Sequence, residues 1–126
     1  MKIFGAQLKM QYGPTGSVQI HRLWYSNLES VALEKMEEAQ KIAPPENTTV
    51  EITPLESDVL ITDEGVYKTT SGKLVHIYKA GLFHSHGRFL KANRKPMPHE
   101  GCTFFANGDP ITHKKWGAIV ERVGDK

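Results

Sequence analysis

The sequence has few of the features that mark secreted or membrane-spanning proteins. It contains one cysteine, Cys102, which cannot form a disulfide within the chain and is typical of a reducing compartment. No apolar run approaches the roughly 20 residues that a membrane-spanning helix needs, and residues 1–7 lack the apolar segment of a signal peptide. We therefore expect a cytoplasmic protein, of a cell or of a virus-infected cell, with no membrane partner.

Sequence motifs that bind cofactors or metals are also missing. The chain contains no HExxH, CxxC, GxxxxGK[ST] or GxGxxG motif, so nothing predicts a zinc protease, a nucleotide-hydrolysing loop or a dinucleotide fold. His84 and His86, two apart, could share a metal on a strand, with His99, Cys102 and His113 as further donors. No tight spacing organises these residues into the four ligands that a metal site usually needs. We expect no metal and no cofactor.

Length and composition are those of an ordinary globular domain. The chain has 126 residues, of which 39% are hydrophobic and 24% charged, which is enough to bury a core without disulfides. No repeat, low-complexity segment or linker divides it. We therefore expect residues 1–126 to form a single domain.

Positive charge is concentrated in the second half of the chain. Residues 1–70 contain 6 Lys/Arg and 10 Asp/Glu, whereas residues 71–126 contain 10 Lys/Arg and 4 Asp/Glu. Such an asymmetry indicates a basic face for an anionic, phosphate-bearing partner. The alternative is that folding mixes these charges again over the surface.

The first half of the chain predicts a hairpin and a helix. Residues 1–12 and 17–25 alternate in hydrophobicity on either side of a Gly-Pro-Thr-Gly turn, as in an antiparallel hairpin. Ser26 and Glu29 then have the spacing of a capping box. Apolar residues at helical intervals follow, and Pro44-Pro45 should end the helix.

The remaining chain predicts mostly short strands. Residues 48–53, 58–62, 66–70, 73–79, 82–90 and 102–106 fit strands, and two prolines argue for a loop over residues 93–101. At the C-terminus, Asp109-Pro110 and an apolar stripe favour a helix over residues 110–123, although residues 118–123 also fit a strand. The predicted class is α+β, with antiparallel sheets of about six to eight short strands and two helices.

The richest chemistry lies in residues 81–95, which combine aromatic, imidazole, cationic and amide side chains. On a strand, alternation places Phe83 and Phe89 on one face and Arg88 on the other. Cations and amides hold phosphates by charge-assisted hydrogen bonds, and an aromatic ring can stack a nucleobase. The competing interpretation is a core strand followed by a solvated basic loop. Lys114 and Lys115, next to Trp116, form either a second wall of an anion site or an ordinary solvent-exposed surface.

This stretch resembles the phage Thoeris anti-defence sponge family, in which a Phe stacks adenine and an Asn about ten residues later contacts the ligand. Phe83 and Asn93 have that spacing, and Arg88 lies between them. The resemblance implies a small cytoplasmic α+β protein that binds cyclic ADP-ribose-type immune signals without chemical change. It also implies homo-oligomers, either dimers or multiples of dimers.

The ligand-binding residues predicted on this basis have three roles. Phe83 stacks the base, Asn93 donates and accepts hydrogen bonds, and Arg88 with nearby cations neutralises a pyrophosphate. The family's arginines outside this stretch have no direct counterpart here, so Lys114, Lys115 or Arg122 would replace them. The nearby cations and their substitutes in the predicted site are Lys91, Arg94, Lys114 and Lys115.

Two other functions remain open. The basic half equally suits a nucleic-acid-binding module, or a nucleic-acid- or protein-binding inhibitor such as one of a CRISPR nuclease. A histidine- or metal-dependent hydrolase built on His84, His86 and His113 is the lesser alternative. Cys102 could also be a nucleophile, but a lone cysteine in a Cys-Thr-Phe-Phe strand is more often a small buried apolar residue.

Overall fold

The chain divides into two compact units, where the sequence analysis predicts one domain. A computed structural model describes residues 1–125, except for the side chains of His99 and Glu100. The first unit comprises Met1–Ser57 and the second begins at Asp58. The expected α+β architecture is confirmed, because the described residues form eight strands, largely antiparallel, and an α-helix. The second predicted α-helix is wrong and is replaced by a short 3-10 turn.

The first unit is a three-stranded sheet with the α-helix. Its elements are β1 (Lys2–Tyr12), β2 (Val18–Ser26), α1 (Glu29–Gln40) and β3 (Thr48–Asp58). β1 lies between β2 and β3 and forms the predicted antiparallel hairpin with β2, with an irregularity after Phe4. α1 packs against β1 and β2. Few apolar residues are buried in this unit: Ile3, Ala6, Trp24 and Ala32.

The helix is shorter than the sequence predicts, and the capping box does not form. α1 begins at Glu29 after Leu28, which makes no side-chain cap. The Ser26 hydroxyl instead accepts a hydrogen bond from the Leu28 amide at 3.0 Å, a local turn that competes with helix capping. The helix ends at Gln40, before the two prolines that were expected to stop it.

The second unit is a five-stranded sheet. Its elements are β4 (Gly65–Thr69), β5 (Leu74–Ala80), β6 (His84–Leu90), β7 (Pro96–Phe105), a 3-10 turn (Lys114–Trp116) and β8 (Ile119–Gly124). The strand order is β7-β6-β5-β4-β8, with antiparallel pairs throughout. Its buried cluster consists of Ile61, Tyr67, Val75, Ile77, Phe89, Cys102, Phe104 and Ile119.

Two predictions around this sheet need correction. Residues 93–101 were predicted as a loop, but β7 already starts at Pro96. Proline is tolerated there because β7 is an edge strand and because pairing with β6 is irregular between Arg88 and Leu90. The predicted strand at 58–62 is also wrong. β3 ends at Asp58, and the Leu60 and Ile61 amides both donate to the Ala106 carbonyl.

The C-terminal segment forms a strand rather than the favoured helix. Gly117 adopts φ 85°, a conformation open to glycine but not to a helix. The Thr70 amide donates to the Ala118 carbonyl at 2.9 Å, and β8 then pairs with β4. Long-range backbone hydrogen bonds therefore override the helical spacing of the apolar residues.

Within residues 1–125, no helix combines the length and hydrophobicity that crossing a lipid bilayer requires. The α-helix α1 spans 12 residues, well short of the roughly 20 needed.

We predict that Gly117→Ala destabilises the second unit far more than Gly72→Ala. The two glycines have nearly the same φ, 85° and 86°, so both substitutions strain the backbone by about 1–3 kcal/mol. Only at Gly117 would the added Cβ also collide with the Thr70 hydroxyl, whereas nothing lies within 4 Å at Gly72. Urea unfolding monitored by circular dichroism measures the difference. Equal losses of unfolding free energy would contradict this packing.

Candidate functional site

Strand β6 separates the core from an exposed surface by simple alternation. Ser85, Gly87 and Phe89 are buried, whereas His84 and Arg88 are exposed. For residues 84–89 this is the alternation predicted from the sequence, since neighbouring side chains on a strand point to opposite faces. The prediction that Phe83 shares the buried face of Phe89 is wrong: Phe83 precedes β6, and its ring lies next to His84 and Phe105 on the exposed side. The outward side of β6 and its neighbours therefore carries the polar groups of this stretch.

An aromatic cluster lies where β6 begins. The Phe83 ring is 4.3 Å from the His84 ring and 5.3 Å from the Phe105 ring, measured between centroids. Phe105 pairs with His84 across β6 and β7, so these two side chains leave the sheet on the same side. Phe83 and Phe105 are only partly buried. They therefore offer aromatic surface to a planar ligand.

Imidazole and guanidinium groups continue along the same face. His86 follows His84 by two residues, and its Nδ1 lies 3.4 Å from the Thr103 hydroxyl on β7. Lys79 and His76 of β5 pair with His86 and Arg88. We call the surface formed by Phe83, His84, His86, Arg88, Thr103 and Phe105 the β6 face.

The space next to Arg88 is open. Arg88 pairs with Gly101 of β7, so a side chain at position 101 would project on the Arg88 side of the sheet. Apart from the neighbours of Gly101 along the chain, no described atom lies within 4 Å of a Cβ built on Gly101. Because Arg88 is itself exposed, its guanidinium is accessible to an anion from this direction.

The surroundings of His84 lower the pKa of its imidazole, although the residue as a whole is exposed. Burial among the aromatic rings lowers the pKa of His84 below its usual 6.5, and the nearby positive charge of His86 lowers the pKa further. Lys79 lies opposite His86 across β5 and β6 and adds positive charge to this part of the sheet. An anion bound here would oppose both effects and favour the protonated imidazole.

The other ligand-binding residues predicted within residues 81–95 lie at the opposite end of β6. Lys91, Asn93 and Arg94 belong to the turn between β6 and β7, where the Asn93 side chain accepts a hydrogen bond from the Lys95 amide at 3.1 Å. The Arg94 guanidinium extends towards Gly124, whose added Cβ would lie 3.9 Å from it. The Asn93 oxygen is thus engaged in the turn itself.

Lys114 and Lys115 also lie at this end. They belong to the 3-10 turn, and Trp116 next to them packs its ring 6.1 Å from that of Phe89, one residue before the end of β6. The Lys73 and Lys115 ammonium groups lie 4.7 and 4.9 Å from the centre of the Trp116 ring. We call the group of lysines at these turns, Lys73, Lys91, Lys95, Lys114 and Lys115, the basic end.

The predicted site residues thus fall into two groups within one chain. Phe83 and Arg88 are on the β6 face, whereas Lys91, Asn93, Lys114 and Lys115 lie beyond the opposite end of the strand. β6 spans His84–Leu90, which at about 3.3 Å per residue separates Phe83 from Asn93 by about 20 Å or more. One nucleotide-sized ligand does not reach both Phe83 and Asn93 in the same chain, although Arg88 lies only three residues, or about 10 Å, from Lys91.

Several residues of these surfaces were not singled out from the sequence. Alternation in residues 102–106 could have placed Phe105 and Thr103 on the exposed side, opposite Cys102 and Phe104. Lys73 joins the basic end only through its contact with Trp116, and no local pattern shows a contact between residues so far apart in sequence.

The groups considered for catalysis are not gathered together. His113 lies at the basic end, with its ring 6.0 Å from that of Phe89, away from His84 and His86 on the β6 face. Cys102 is buried in the core cluster, as expected for a small apolar residue. The His99 side chain lies outside the described residues. Among the described side chains, no group of three His, Cys, Asp or Glu is placed to share a metal ion.

We predict that His84 titrates below pH 6.5. The substitution His86→Gln should raise the pKa of His84 without restoring its usual value. The substitution removes the repulsion by His86 but leaves burial, the larger cause. Two-dimensional NMR titration of the histidine ring protons measures both values. His113→Gln serves as the control and should leave the His84 pKa unchanged. A His84 pKa at or above 6.5 in the unsubstituted protein would contradict the arrangement.

Comparisons with protein-family models, with curated proteins and with solved structures find no significant match to this chain.

Proposed function

We propose that the protein is a non-enzymatic, phage-type anti-defence protein that binds and sequesters a cyclic ADP-ribose-type or related cyclic nucleotide immune signal. The observation that carries this proposal is the composition of the β6 face. Aromatic rings lie at one end of an exposed strand surface, and imidazole and guanidinium groups follow along it. A nucleotide presents the complementary groups, a flat base next to phosphates.

Each part of the β6 face has a matching role. The Phe83 ring stacks the base, next to Phe105, and such stacking contributes about 1–3 kcal/mol per base. Arg88 donates hydrogen bonds to a pyrophosphate in the open space over Gly101, because guanidinium groups bind phosphate oxygens in a paired geometry. His84 and His86 lie between the two and donate further hydrogen bonds when protonated.

A homo-oligomer, a dimer or a multiple of dimers, completes this proposal. Within one chain, Asn93 and the lysines of the basic end are too far from Phe83 to contact the same ligand. In an assembly, the basic end of one copy can lie next to the β6 face of another and supply these contacts. Light scattering coupled to size-exclusion chromatography measures the assembly state, and a monomer at micromolar concentration would leave the β6 face to act alone.

We predict that the purified protein captures cyclic ADP-ribose isomers and releases them intact on heating. Phe83→Ala should weaken capture about 5- to 150-fold through the lost stacking, and Arg88→Gln should weaken it through the lost phosphate contact. Tyr12→Ala and Arg22→Gln remove an exposed aromatic and an exposed cation of the first unit and are the matched controls. Calorimetry measures affinity, and mass spectrometry identifies the released ligand.

Gly101→Leu tests the same site without removing a binding group. The new side chain fills the open space next to Arg88, where no atom would clash with its Cβ, so the fold should persist while the ligand is excluded. Thermal unfolding checks the fold. Capture that is unaffected by Phe83→Ala, Arg88→Gln and Gly101→Leu would refute the proposed site, and chemically altered ligand would refute sequestration.

We also predict that affinity for the anionic ligand rises as pH falls from 7.5 to 5.5. The ligand phosphates stay ionised over this range while His84 gains a proton below its lowered pKa, so the bound state takes up a proton. A ligand that raises the pKa of His84 by one unit gains up to about tenfold in affinity at low pH. His84→Gln should reduce this pH dependence, and an unchanged pH profile in that variant would contradict the role of His84.

A further inference from the structure

A second anion-binding surface lies at the end of the five-stranded sheet opposite Phe83. Three separate turns contribute a lysine or a pair of lysines to the basic end: the β4–β5 turn, the β6–β7 turn and the 3-10 turn before β8. Strand pairing places these turns at one end, since Phe89 pairs with Val75 of β5 and Leu74 pairs with Lys68 of β4. The Trp116 ring joins two of the turns by contacting both Lys73 and Lys115.

No described carboxylate forms an ion pair with a lysine of the basic end. Among the side chains that the structure describes, ion pairs join Lys2, Lys35, Lys68 and Arg122 to carboxylates, and none involves a lysine of the basic end. Lys91, Lys95, Lys114 and Lys115 are exposed. Like charges brought together without counter-charges repel one another, and an anionic partner relieves that repulsion.

Trp116 arranges charge here and does not present a free surface for stacking. Its ring is covered by the Lys73 and Lys115 ammonium groups and by the neighbouring Phe89 ring. Cation–π attraction of about 0.5–1 kcal/mol at such exposed sites restrains the two lysines. The surface therefore offers ammonium groups to phosphates.

The width of the basic end indicates a polymer of phosphates. The β4–β5 and β6–β7 turns are separated by two strand spacings of about 4.8 Å each, or about 10 Å. Phosphates of one strand follow one another every 3.4 Å along the axis of a nucleic-acid duplex, so a span of about 10 Å laid along that axis covers about three of them. A single phosphate group meets the lysines of only one turn.

We propose that the basic end binds the phosphodiester backbone of a nucleic acid without base specificity. This activity goes beyond nucleotide sequestration, since it needs only the lysines of the basic end and not Phe83 or Arg88, although the proposed oligomer uses the same lysines for a nucleotide bound to a neighbouring copy. Lysine ammonium groups are point charges without the paired geometry that reads base edges. Binding is therefore dominated by counterion release and depends steeply on salt.

The test measures fluorescence anisotropy of a fluorescein-labelled 20-nucleotide DNA of mixed sequence, single-stranded and as a duplex, from 50 to 300 mM NaCl. We expect binding at 50 mM NaCl, with a plot of log affinity against log salt falling at a slope of about 2–3 for three neutralised phosphates. The triple variant Lys73→Gln, Lys114→Gln, Lys115→Gln should lose at least about tenfold in affinity and most of this slope.

The matched control is the triple variant Lys9→Gln, Lys35→Gln, Lys41→Gln, which removes the same charge from the first unit. It should lose less than the basic-end variant. Absence of binding at 50 mM NaCl, equal losses in both triple variants, or binding to phosphatidylserine vesicles in place of DNA would each overturn the proposal. A failure to capture nucleotide would not change the DNA-binding result, because nucleotide capture is tested with variants of Phe83, Arg88 and Gly101.

Discussion

The packing of Phe89 is the constraint on which both candidate surfaces depend. Its side chain is fully buried, and its ring contacts Phe104 within the sheet and Trp116 and His113 beyond it. A strand whose pairing shifts by one residue turns every side chain to the other face. Because Phe89 is buried, the side chains of Arg88 and His86 project away from the core. The Phe89 ring also packs against Trp116, whose ring contacts Lys73 and Lys115 of the basic end.

Close packing beneath β6 adds to this constraint. Gly87 lies so near β5 that an added Cβ would be 2.7 Å from the His76 carbonyl oxygen. The absence of a side chain lets β5 and β6 approach closely and sets His76 next to Arg88. Groups held on paired strands are positioned more rigidly than groups on loops. The β6 face is therefore suited to recognise a ligand of defined shape, whereas the lysines on turns are suited to a flexible polymer.

Sequence reasoning succeeds where a local pattern and the tertiary structure agree. The alternation around Phe89 predicts β6 and its two faces, and the N-terminal hairpin follows from its turn residues. The C-terminal segment fails because Trp116, Ile119 and Val123 fit a helix as well as a strand. Gly117 and pairing with β4 decide in favour of the strand, and no local sequence pattern shows that pairing. The spacing of Phe83 and Asn93 has the same weakness, since ten residues along a strand and a turn place them at opposite ends.

The separation of the two surfaces has an electrostatic consequence. At physiological ionic strength the screening length is about 8 Å, shorter than the distance of about 20 Å along β6. Arg88 is only three residues from Lys91, or about 10 Å, so charge bound at the basic end is partly felt at Arg88 and is screened far more strongly at Phe83. Uniform positive charge attracts any anion, so under the proposed function the preference for a nucleotide would come from the Phe83 and Phe105 rings. The aromatic rings, more than the net charge of the second half, are what distinguish the β6 face from the basic end.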